Sequence, residues 1–404
     1  MSNNGTPNLH VMPNLHVMPN LHVMIVAGET SGDALGADLM AELRAQRPDI
    51  MVTGVGGPKM TAQGMASIFP MEEIALMGLR EILPRLPHLF KLLDDTVAHA
   101  LAVEPDMLVL IDSPEFNHRL AARVKAQRPD IPVICFVAPQ VWAWRRGRAK
   151  KMKAHFDAVL ALLPFEPDIF AAANGPPCHF IGHPIMQRLA ALPENADITR
   201  RLKIKKTDKL VSVLPGSRMS EIKRLLPVFG QVVTRLSNNV DGLRVAVPVL
   251  PHTKQPIAEA VSNWPLPVDL VEDEADKMAL FKASRAALAS SGTAVLELGL
   301  AGLPTVAAYD IGAVMGWLLM RVMQVPSAVL TNLILDAPIV PEFLQDRCRA
   351  DLIYPALHKL LVDDAANQKQ RDALAQLPDA LAVSGAPPAV RAAQICLQIA
   401  ARKA

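Results

Sequence analysis

Short apolar runs alternate along this chain with longer stretches in which apolar residues recur at helical spacing. A strand buried on both faces of a parallel sheet is apolar throughout, so each short run predicts such a strand and each longer stretch predicts a helix that crosses back over the sheet. The predicted strands are residues 21–27, 51–55, 107–111, 132–137, 158–162, 179–181, 210–214, 243–247, 268–271, 286–289 and 305–308. The pattern therefore predicts an α/β fold with helices on both faces of parallel sheets.

The length of the chain predicts more than one domain, because 404 residues exceed what a single hydrophobic core usually serves. The alternation pauses in a proline-bearing stretch near residue 187, which places a boundary there. We expect a flexible arm at 1–20, where Pro-Asn-Leu-His-Val-Met is repeated three times, and domains at 21–187 and 188–364. The remaining residues, 365–404, predict a helical tail that packs across a domain or subunit boundary, which leaves a homodimer open as a partner.

The composition limits the classes of partner that we expect for this protein. A net charge of +2 gives no basic footprint for nucleic acid, so none is expected. Hydrophobic residues make up 51% of the chain, yet no apolar run reaches the roughly 18 residues that span a bilayer, so we expect contact with a membrane without a crossing. The four cysteines show no paired spacing, which predicts neither disulfides nor a metal site, and no cofactor is indicated. No secretory signal is apparent, so a cytoplasmic protein is expected.

Two loops in the second half have the residues of a phosphate site. They are Pro-Gly-Ser-Arg at 215–218 and Ser-Ser-Gly-Thr at 290–293, each directly after a predicted strand. Small residues let backbone N–H groups at a helix start approach phosphate, and the guanidinium of Arg218 matches phosphate oxygens. Glu221 is expected to help cap the helix after the first loop. Glu297 lies about one turn into the helix after the second loop, where its carboxylate could accept hydrogen bonds from ribose hydroxyls.

Either of these loops alone also fits an ordinary strand-to-helix connection. Together they predict one nucleotide site.

In the first half, chemically unusual loops follow the predicted strands at 28–33, 54–58, 112–116 and 138–142. Asp112 comes directly after a strand, which places its carboxylate at the edge where parallel sheets bind ligands. The residue could act as a general base, or it could cap the next helix. Glu29 and Asp33 are rival acids in the neighbouring loop, and each also suits a helix start.

Two apolar stretches, 74–93 and 312–335, have a composition typical of a membrane-interfacial surface. The first carries Leu79, Leu83 and Leu86 among arginines. Either stretch could instead be a core-facing helix, which is the commoner role of an apolar helical pattern. The prolines at 84, 87 and 326 would interrupt long buried helices, which favours an exposed surface. A basic run at 144–151 is usually a solvated helix face, and beside apolar surface it also suits anionic headgroups.

These loops resemble those of the lipid-A-disaccharide synthase family, which are inverting glycosyltransferases of bacterial outer-membrane lipid biosynthesis. The resemblance covers nearly the whole chain from residue 21 onward. The motifs that carry it are VAGETSGD (26–33), MG (77–78), IDSPEF (111–116), VWAWR (141–145), LPFE (163–166), IGH (181–183), LPGSR (214–218) and SGT (291–293). It implies two Rossmann-like doubly wound domains that face each other across a cleft, the glycosyltransferase B architecture, with the donor on the second domain.

The resemblance also implies the reaction and its site. A diacylated glucosamine passes from its UDP derivative to the 6-hydroxyl of diacylglucosamine 1-phosphate, which gives a β-1,6 disaccharide 1-phosphate and UDP, without a cofactor, at the inner membrane. Asp112 is the implied catalytic residue. The residues implied for UDP are Arg218, Ser291, Gly292, Thr293, Glu297 and Asn332. The acceptor or lipid-facing candidates are Glu29, Ser31, Asp33, Met77, Leu79, Leu83, Leu86, Trp144 and Arg145.

Other functions fit parts of the pattern. A UDP-sugar epimerase, or a transferase with a soluble acceptor, would share the architecture, although the apolar surfaces favour a lipid acceptor. A dinucleotide oxidoreductase fits less well, because residues 54–58 depart from the glycine fingerprint. A nucleotide-binding module without activity would leave Asp112 without a role.

Overall fold

The computed structural model describes residues 20–74, 79–144, 147–192, 198–383 and 385–402, without the side chains of 79–84, 144, 313–314 and 318–320. The described chain forms two compact units. The first comprises the described residues up to 141, residues 147–184 and the described residues from 383 onward. The second comprises residues 142–144, 185–192 and 198–382.

Each unit contains one six-stranded sheet in which all neighbouring strands are parallel. The strands of the first are β1 His22–Ala27, β2 Met51–Val55, β3 Met107–Ile111, β4 Val133–Phe136, β5 Ala158–Ala161 and β6 Cys178–Phe180. The strands of the second are β7 Lys209–Leu214, β8 Leu243–Pro248, β9 Val268–Val271, β10 Ala286–Ser290, β11 Thr305–Tyr309 and β12 Glu342–Leu344.

Helices fill the connections between these strands. They are α1 Thr30–Gln46, α2 Pro58–Ala62, α3 Leu79–Val103, α4 Pro114–Gln127, α5 Val141–Trp144, α6 Gly147–Met152, α7 Glu166–Ala172, α8 Ile185–Ala190, α9 Ile198–Arg201, α10 Met219–Ser237, α11 Pro251–Val261, α12 Glu274–Ala283, α13 Thr293–Leu300, α14 Ala313–Val322, α15 Leu330–Ile334, α16 Ala350–Val362, α17 Asp364–Leu374, α18 Leu377–Leu381 and α19 Pro388–Ala401. Short 3₁₀ helices lie at Met71–Glu73 and Gln345–Arg347.

The strand orders locate the places where ligands can bind. The first sheet has the order β2-β1-β3-β4-β5-β6, so its winding reverses between β1 and β3. The second has the order β12-β11-β10-β7-β8-β9 and reverses between β7 and β10. A crevice opens outside the carboxyl ends of the strands at such a reversal, and open α/β sheets bind ligands there. The loops after these four strands are therefore the candidate sites.

Every strand predicted from the sequence is confirmed, with each end within one residue of the observed one. The predictions succeed because strands such as β1 and β3 are buried on both faces and are apolar along their length. The edge strand β12 was missed. It has only three residues, and Phe343 is the one that it buries, so it leaves no apolar run to detect.

The two faces of each sheet are covered by different helices. In the second unit, alternate residues of β10 point to opposite sides. One side packs on α10 and α16 through Phe229 and Leu357, and the other packs on α12 and α13 through Phe281 and Leu296. This two-sided cover is the doubly wound arrangement that the alternating pattern predicts.

Three prolines were expected to interrupt the two apolar stretches, and this expectation is wrong for the two that lie in the stretch from 74 to 93. Helix α3 runs without a break through Pro84 and Pro87. Each proline removes one helical hydrogen bond, and the second half of α3 anchors the helix by burying residues such as Leu93 and Val97 in the core. In the other stretch, Pro326 does lie between helices, in the linker from α14 to α15.

The predicted tail from residue 365 is divided between the two units. Helices α17 and α18 bury Leu374, Leu377 and Leu381 in the second unit. Helix α19 belongs to the first unit, where it packs against α1 and buries Leu397 in the core. The helices of the tail therefore pack on both units of this chain, although no strand lies among them.

We predict that Gly54→Ala destabilises the first unit. Gly54 lies in β2 with φ +135°, and a Cβ there would sit 1.9 Å from the carbonyl oxygen of Ile25. Strain and overpacking together should lower the free energy of unfolding by about 2 to 5 kcal/mol. The matched control is Gly147→Ala, where no described atom lies within 4 Å of the new Cβ. Urea unfolding followed by circular dichroism measures both; equal midpoints would contradict the prediction.

Candidate active site

The turn after β3 is strained. Asp112 has φ +56° and Ser113 has φ +42°, so two consecutive residues with side chains adopt the left-handed region. Such residues cost on the order of 1 to 3 kcal/mol each and persist only where the surroundings enforce them. The turn ends at Pro114, the first residue of α4, whose fixed φ suits that position. This geometry turns Asp112 out of the line of the strand at the reversal point of the first sheet.

Two hydrogen bonds hold the Asp112 carboxylate. The backbone N–H of Ser113 donates to Oδ1 at 3.0 Å, and the Ser31 hydroxyl lies 3.4 Å from Oδ2. Burial raises the pKa of Asp112, and these two hydrogen bonds partly oppose the rise. The residue at the N-cap position of α4 is Ser113, and no side-chain capping bond is made there. The structure therefore does not use Asp112 as a helix cap.

Two neighbours stabilise the strained turn, and sequence reasoning did not single them out. Asn117 Nδ2 donates to the carbonyl oxygens of Asp112 at 2.7 Å and Ile111 at 3.2 Å. A Cβ on Gly28 would lie 2.3 Å from the Cβ of Ser113, so glycine is required there for the close approach. The available signal for Asn117 is its place on the buried face of α4, where an amide is unusual.

The rival acids have different surroundings. Glu29 is exposed at the N-cap of α1 and makes no side-chain capping bond. Asp33 is 1% exposed, and its oxygens accept hydrogen bonds from the N–H groups of Gly57, Lys59 and Met60 at 2.9, 2.9 and 3.0 Å. Asp33 thus joins α1 to the start of α2. Its contact with the acceptor stays a prediction, and the observed bonds give it a structural role that depends on partners distant in the sequence.

The two predicted phosphate loops lie on neighbouring strands of the second sheet. Leu214, the last residue of β7, pairs with Ala289 of β10. Gly292 and Thr293 are exposed at the start of α13, and no described atom lies within 4 Å of the place where a Cβ of Gly292 would be. The Ser291 hydroxyl donates to the carbonyl of Ala328 and so fixes the loop. The loop leaves a helix N-terminus open to an anion.

Arg218 occupies the N-cap position of α10 and its side chain is 75% exposed. The Oε1 atom of Glu221 lies 3.6 Å from its guanidinium. The expectation that Glu221 caps α10 is wrong, since no side-chain capping bond is made. The carboxylate instead lies under Gly216 and accepts a hydrogen bond from the hydroxyl of Tyr309 at 3.4 Å. Arg218 therefore projects from the loop with its guanidinium accessible.

Glu297 lies in α13 and is 7% exposed. Lys277 Nζ lies 3.0 Å from its Oε2, and the guanidinium of Arg188 contacts its Oε1. Each oxygen of the carboxylate is therefore paired with a cationic side chain. Its contact with ribose stays a prediction, and both cations were missed because they lie far from it in the sequence.

Asn332 is buried in α15 and its amide is engaged on both sides. Nδ2 donates to the carbonyl of Val340 at 2.9 Å and to the Ser327 hydroxyl at 3.2 Å, while Oδ1 accepts from the N–H of Val340 at 2.8 Å. The side chain thus ties two loop segments together. Its part in the UDP site stays a prediction, and the observed bonds assign it to shaping the loop.

The lipid-facing candidates are described only in part. Met77 and Arg145 lie outside the described residues, as do the side chains of Leu79, Leu83 and Trp144. Leu86 is 36% exposed and Phe90, one turn later, is 41% exposed, so this end of α3 presents apolar surface. The guanidinium of Arg119 lies 5.6 Å from the centre of the Phe90 ring. None of the described helices is both long and apolar enough to cross a bilayer.

Comparison with known proteins decides the family. The family model for lipid-A-disaccharide synthetase matches residues 23–388. The chain belongs to the lipid-A-disaccharide synthase family. Lipid-A-disaccharide synthase of Rhodospirillum centenum is 44% identical over 380 residues, which cover 94% of each chain. That of Bradyrhizobium diazoefficiens is 40% identical over 374 residues, which cover 92% of this chain and 95% of the relative.

Solved structures of other enzymes share the fold of this lipid-A-disaccharide synthase family member. UDP-GlcNAc 2-epimerase from Neisseria meningitidis, bound to UDP-GlcNAc, has a TM-score of 0.63 at 12% identity and covers 95% of this chain and all of its own. The glycotransferase of kitacinnamycin has a TM-score of 0.61 at 17% identity, with 94% and 98% covered. These neighbours and the two parallel sheets establish two Rossmann-like domains of the glycosyltransferase B type.

The family establishes the reaction class. The enzyme is a hexosyltransferase that makes the lipid A disaccharide from a UDP-sugar donor and a sugar-phosphate acceptor. The epimerase and the transferase with a soluble acceptor are not favoured, because the structures that suggest them share only the fold.

We predict that Asp33→Asn lowers stability while Ser31→Ala does not. The asparagine turns one acceptor oxygen into a donor against a backbone N–H, which removes a charge-assisted hydrogen bond and should lower the free energy of unfolding by about 1.5 to 3 kcal/mol. Ser31 is exposed, so its loss should change stability by less than about 0.5 kcal/mol. Denaturant unfolding of both variants checks this, and an unaltered Asp33→Asn midpoint would remove the structural assignment.

Proposed function

We propose that Asp112 is the general base of a single inverting displacement. It would take the proton of the acceptor 6-hydroxyl while the oxygen of that hydroxyl bonds to C1 of the donor sugar and the C1–O bond to UDP breaks. The observation that carries the proposal is the strained turn after β3, which presents a partly buried carboxylate at the reversal point without a capping role. Burial raises the pKa of Asp112, which makes its carboxylate a stronger base.

The donor diphosphate binds at the loops after β7 and β10 in this proposal. The exposed guanidinium of Arg218 and the N-terminus of α13 at Gly292–Thr293 supply positive charge for the leaving UDP. Ser291 supports the site by fixing its loop. Glu297 accepts the ribose hydroxyls, and Asn332 contributes by shaping the loop behind them.

The diacylated acceptor is delivered from the surface of the inner membrane in this proposal. The exposed apolar end of α3, with Leu86 and Phe90, would enter the interfacial region of the bilayer, and Arg119 beside Phe90 would meet anionic headgroups. Phe90 on α3 and Arg119 on α4 place apolar surface beside a cation, the combination that suits a membrane interface.

The central test is Asp112→Asn. The amide keeps the size of the side chain but cannot accept the proton, so turnover should fall by about 10² to 10⁴ while UDP affinity is retained. Radiolabelled UDP-sugar assayed with and without lipid acceptor gives turnover and detects epimerisation, which needs no acceptor. A variant with more than a tenth of parental turnover would overturn the assignment.

The pH dependence supplies a second readout of the same base. Activity is lost as the base becomes protonated, and because burial raises the pKa of Asp112, the acid limb of kcat/KM should lie above the pH range of an ordinary aspartate. Ser31→Ala removes a hydrogen bond that favours the ionised form, so the limb should move to still higher pH. An acid limb unmoved by Ser31→Ala would count against the assignment.

Arg218→Ala should weaken UDP binding by about 1.5 to 3 kcal/mol, the range for a hydrogen bond to a charged group. Arg349 provides a matched control, since it also stands at a helix N-cap, is exposed, and pairs with an acid two residues later. Calorimetric titration of UDP should show the loss for Arg218→Ala alone. Equal affinities in the two variants would exclude Arg218 from the donor site.

Replacing Leu86 and Phe90 together by serine should weaken binding to anionic phospholipid vesicles at least about tenfold, because apolar area is removed from the interface. The control is the pair Met51→Ser and Val362→Ser, which removes exposed apolar side chains elsewhere. Vesicle sedimentation compares the two double variants. The same affinity for both would show that this end of α3 does not contact lipid.

A further inference from the structure

The Glu297 carboxylate has two cationic partners that differ in how firmly they are held. Lys277 is the firmer one. Its Nζ lies 3.0 Å from Glu297 Oε2 and 2.9 Å from an oxygen of Glu274, one turn earlier in α12. The same ammonium lies 6.0 Å from the centre of the Phe281 ring, and little of the side chain reaches solvent. Lys277 is therefore fixed by contacts on several sides.

Arg188 is the looser partner. It lies in α8, a helix of six residues, and its side chain is half exposed while it contacts Glu297 Oε1. Its other acidic neighbour, Glu274, is 3.8 Å away. A half-exposed ion pair contributes at most about 1 kcal/mol, so a polar ligand can replace it at little cost.

These contacts matter for a ligand with hydroxyl groups. Glu297 is almost buried, and one of its two oxygens, Oε1, contacts the half-exposed guanidinium of Arg188. An ionised carboxylate has about four acceptor positions on its two oxygens, so it can keep Lys277 and still accept a pair of hydroxyls. The guanidinium of Arg188 contacts Oε1 and so competes with a hydroxyl for that oxygen.

We propose that Lys277 is a positioning residue that holds Glu297 for the two ribose hydroxyls, and that Arg188 occupies their place until the nucleotide binds. The inference rests on the ribose role of Glu297 in the proposed function. It assigns opposite effects to two cations that share one carboxylate. Removing Lys277 weakens nucleotide binding and removes selection for ribose, while removing Arg188 strengthens nucleotide binding.

The experiment titrates the full-length protein with UDP and with 2′,3′-dideoxy-UDP, which lacks both hydroxyls. The parent should bind UDP about tenfold or more tightly than the dideoxy analogue, the loss expected when hydrogen bonds to a carboxylate are removed. Lys277→Gln should bind UDP about tenfold less tightly than the parent, retain parental affinity for the analogue, and discriminate by less than threefold. Arg188→Ala should bind UDP about two- to fivefold more tightly.

Each failure has its own signature. If the parent binds both nucleotides equally, the ribose role of Glu297 is wrong and the inference falls with it. If the parent discriminates and Lys277→Gln does so equally, or loses affinity for both nucleotides to the same degree, Lys277 does not position Glu297 and the proposed function stands. Weaker UDP binding by Arg188→Ala would show that Arg188 is a ligand contact instead. Lys277→Arg keeps the charge and should retain the discrimination between the two nucleotides. This variant tests the proposal even if Lys277→Gln folds poorly.

Discussion

The left-handed turn at Asp112 and Ser113 is the constraint on which the proposed acceptor side of this enzyme depends. The turn is costly by itself, and three independent features make it the stable arrangement. Gly28 leaves room for Ser113, Asn117 binds the carbonyl oxygens of the turn, and Pro114 starts the next helix at once. Each of them lowers the cost of holding two consecutive residues in the left-handed region.

The proposed donor side is built differently, because its loops are short and neighbouring groups fix its polar side chains. Ser291 and Asn332 bind backbone groups, so that their side chains shape the site, and the groups left open are a helix N-terminus and the guanidinium of Arg218. An anion meets donors that are already oriented, which lowers the entropy lost on binding. The carboxylate of Glu297 is oriented in the same way by its ion pairs.

The sequence predicted what depends on local pattern and missed what depends on distant partners. The strands and the loops at their carboxyl ends follow from apolar runs and small residues, so Asp112 and Arg218 were identified together with their places in the sheets. The role of Asp33 could not be read in this way, because the N–H groups that it binds lie 24 to 27 residues away. The partner of Glu297 on α8 lies 109 residues away. A local sequence pattern cannot predict contacts between residues so far apart in the chain.

The return of α19 to the first unit has a consequence for the order in which the protein is made. The chain leaves this unit at residue 184 and re-enters it at 383, after the whole second unit. Side chains of α19, among them Cys396 and Leu397, complete the core beside α1. During synthesis that face of α1 therefore stays uncovered until the residues of α19 have followed the whole second unit, so the second unit is the first that can close its core.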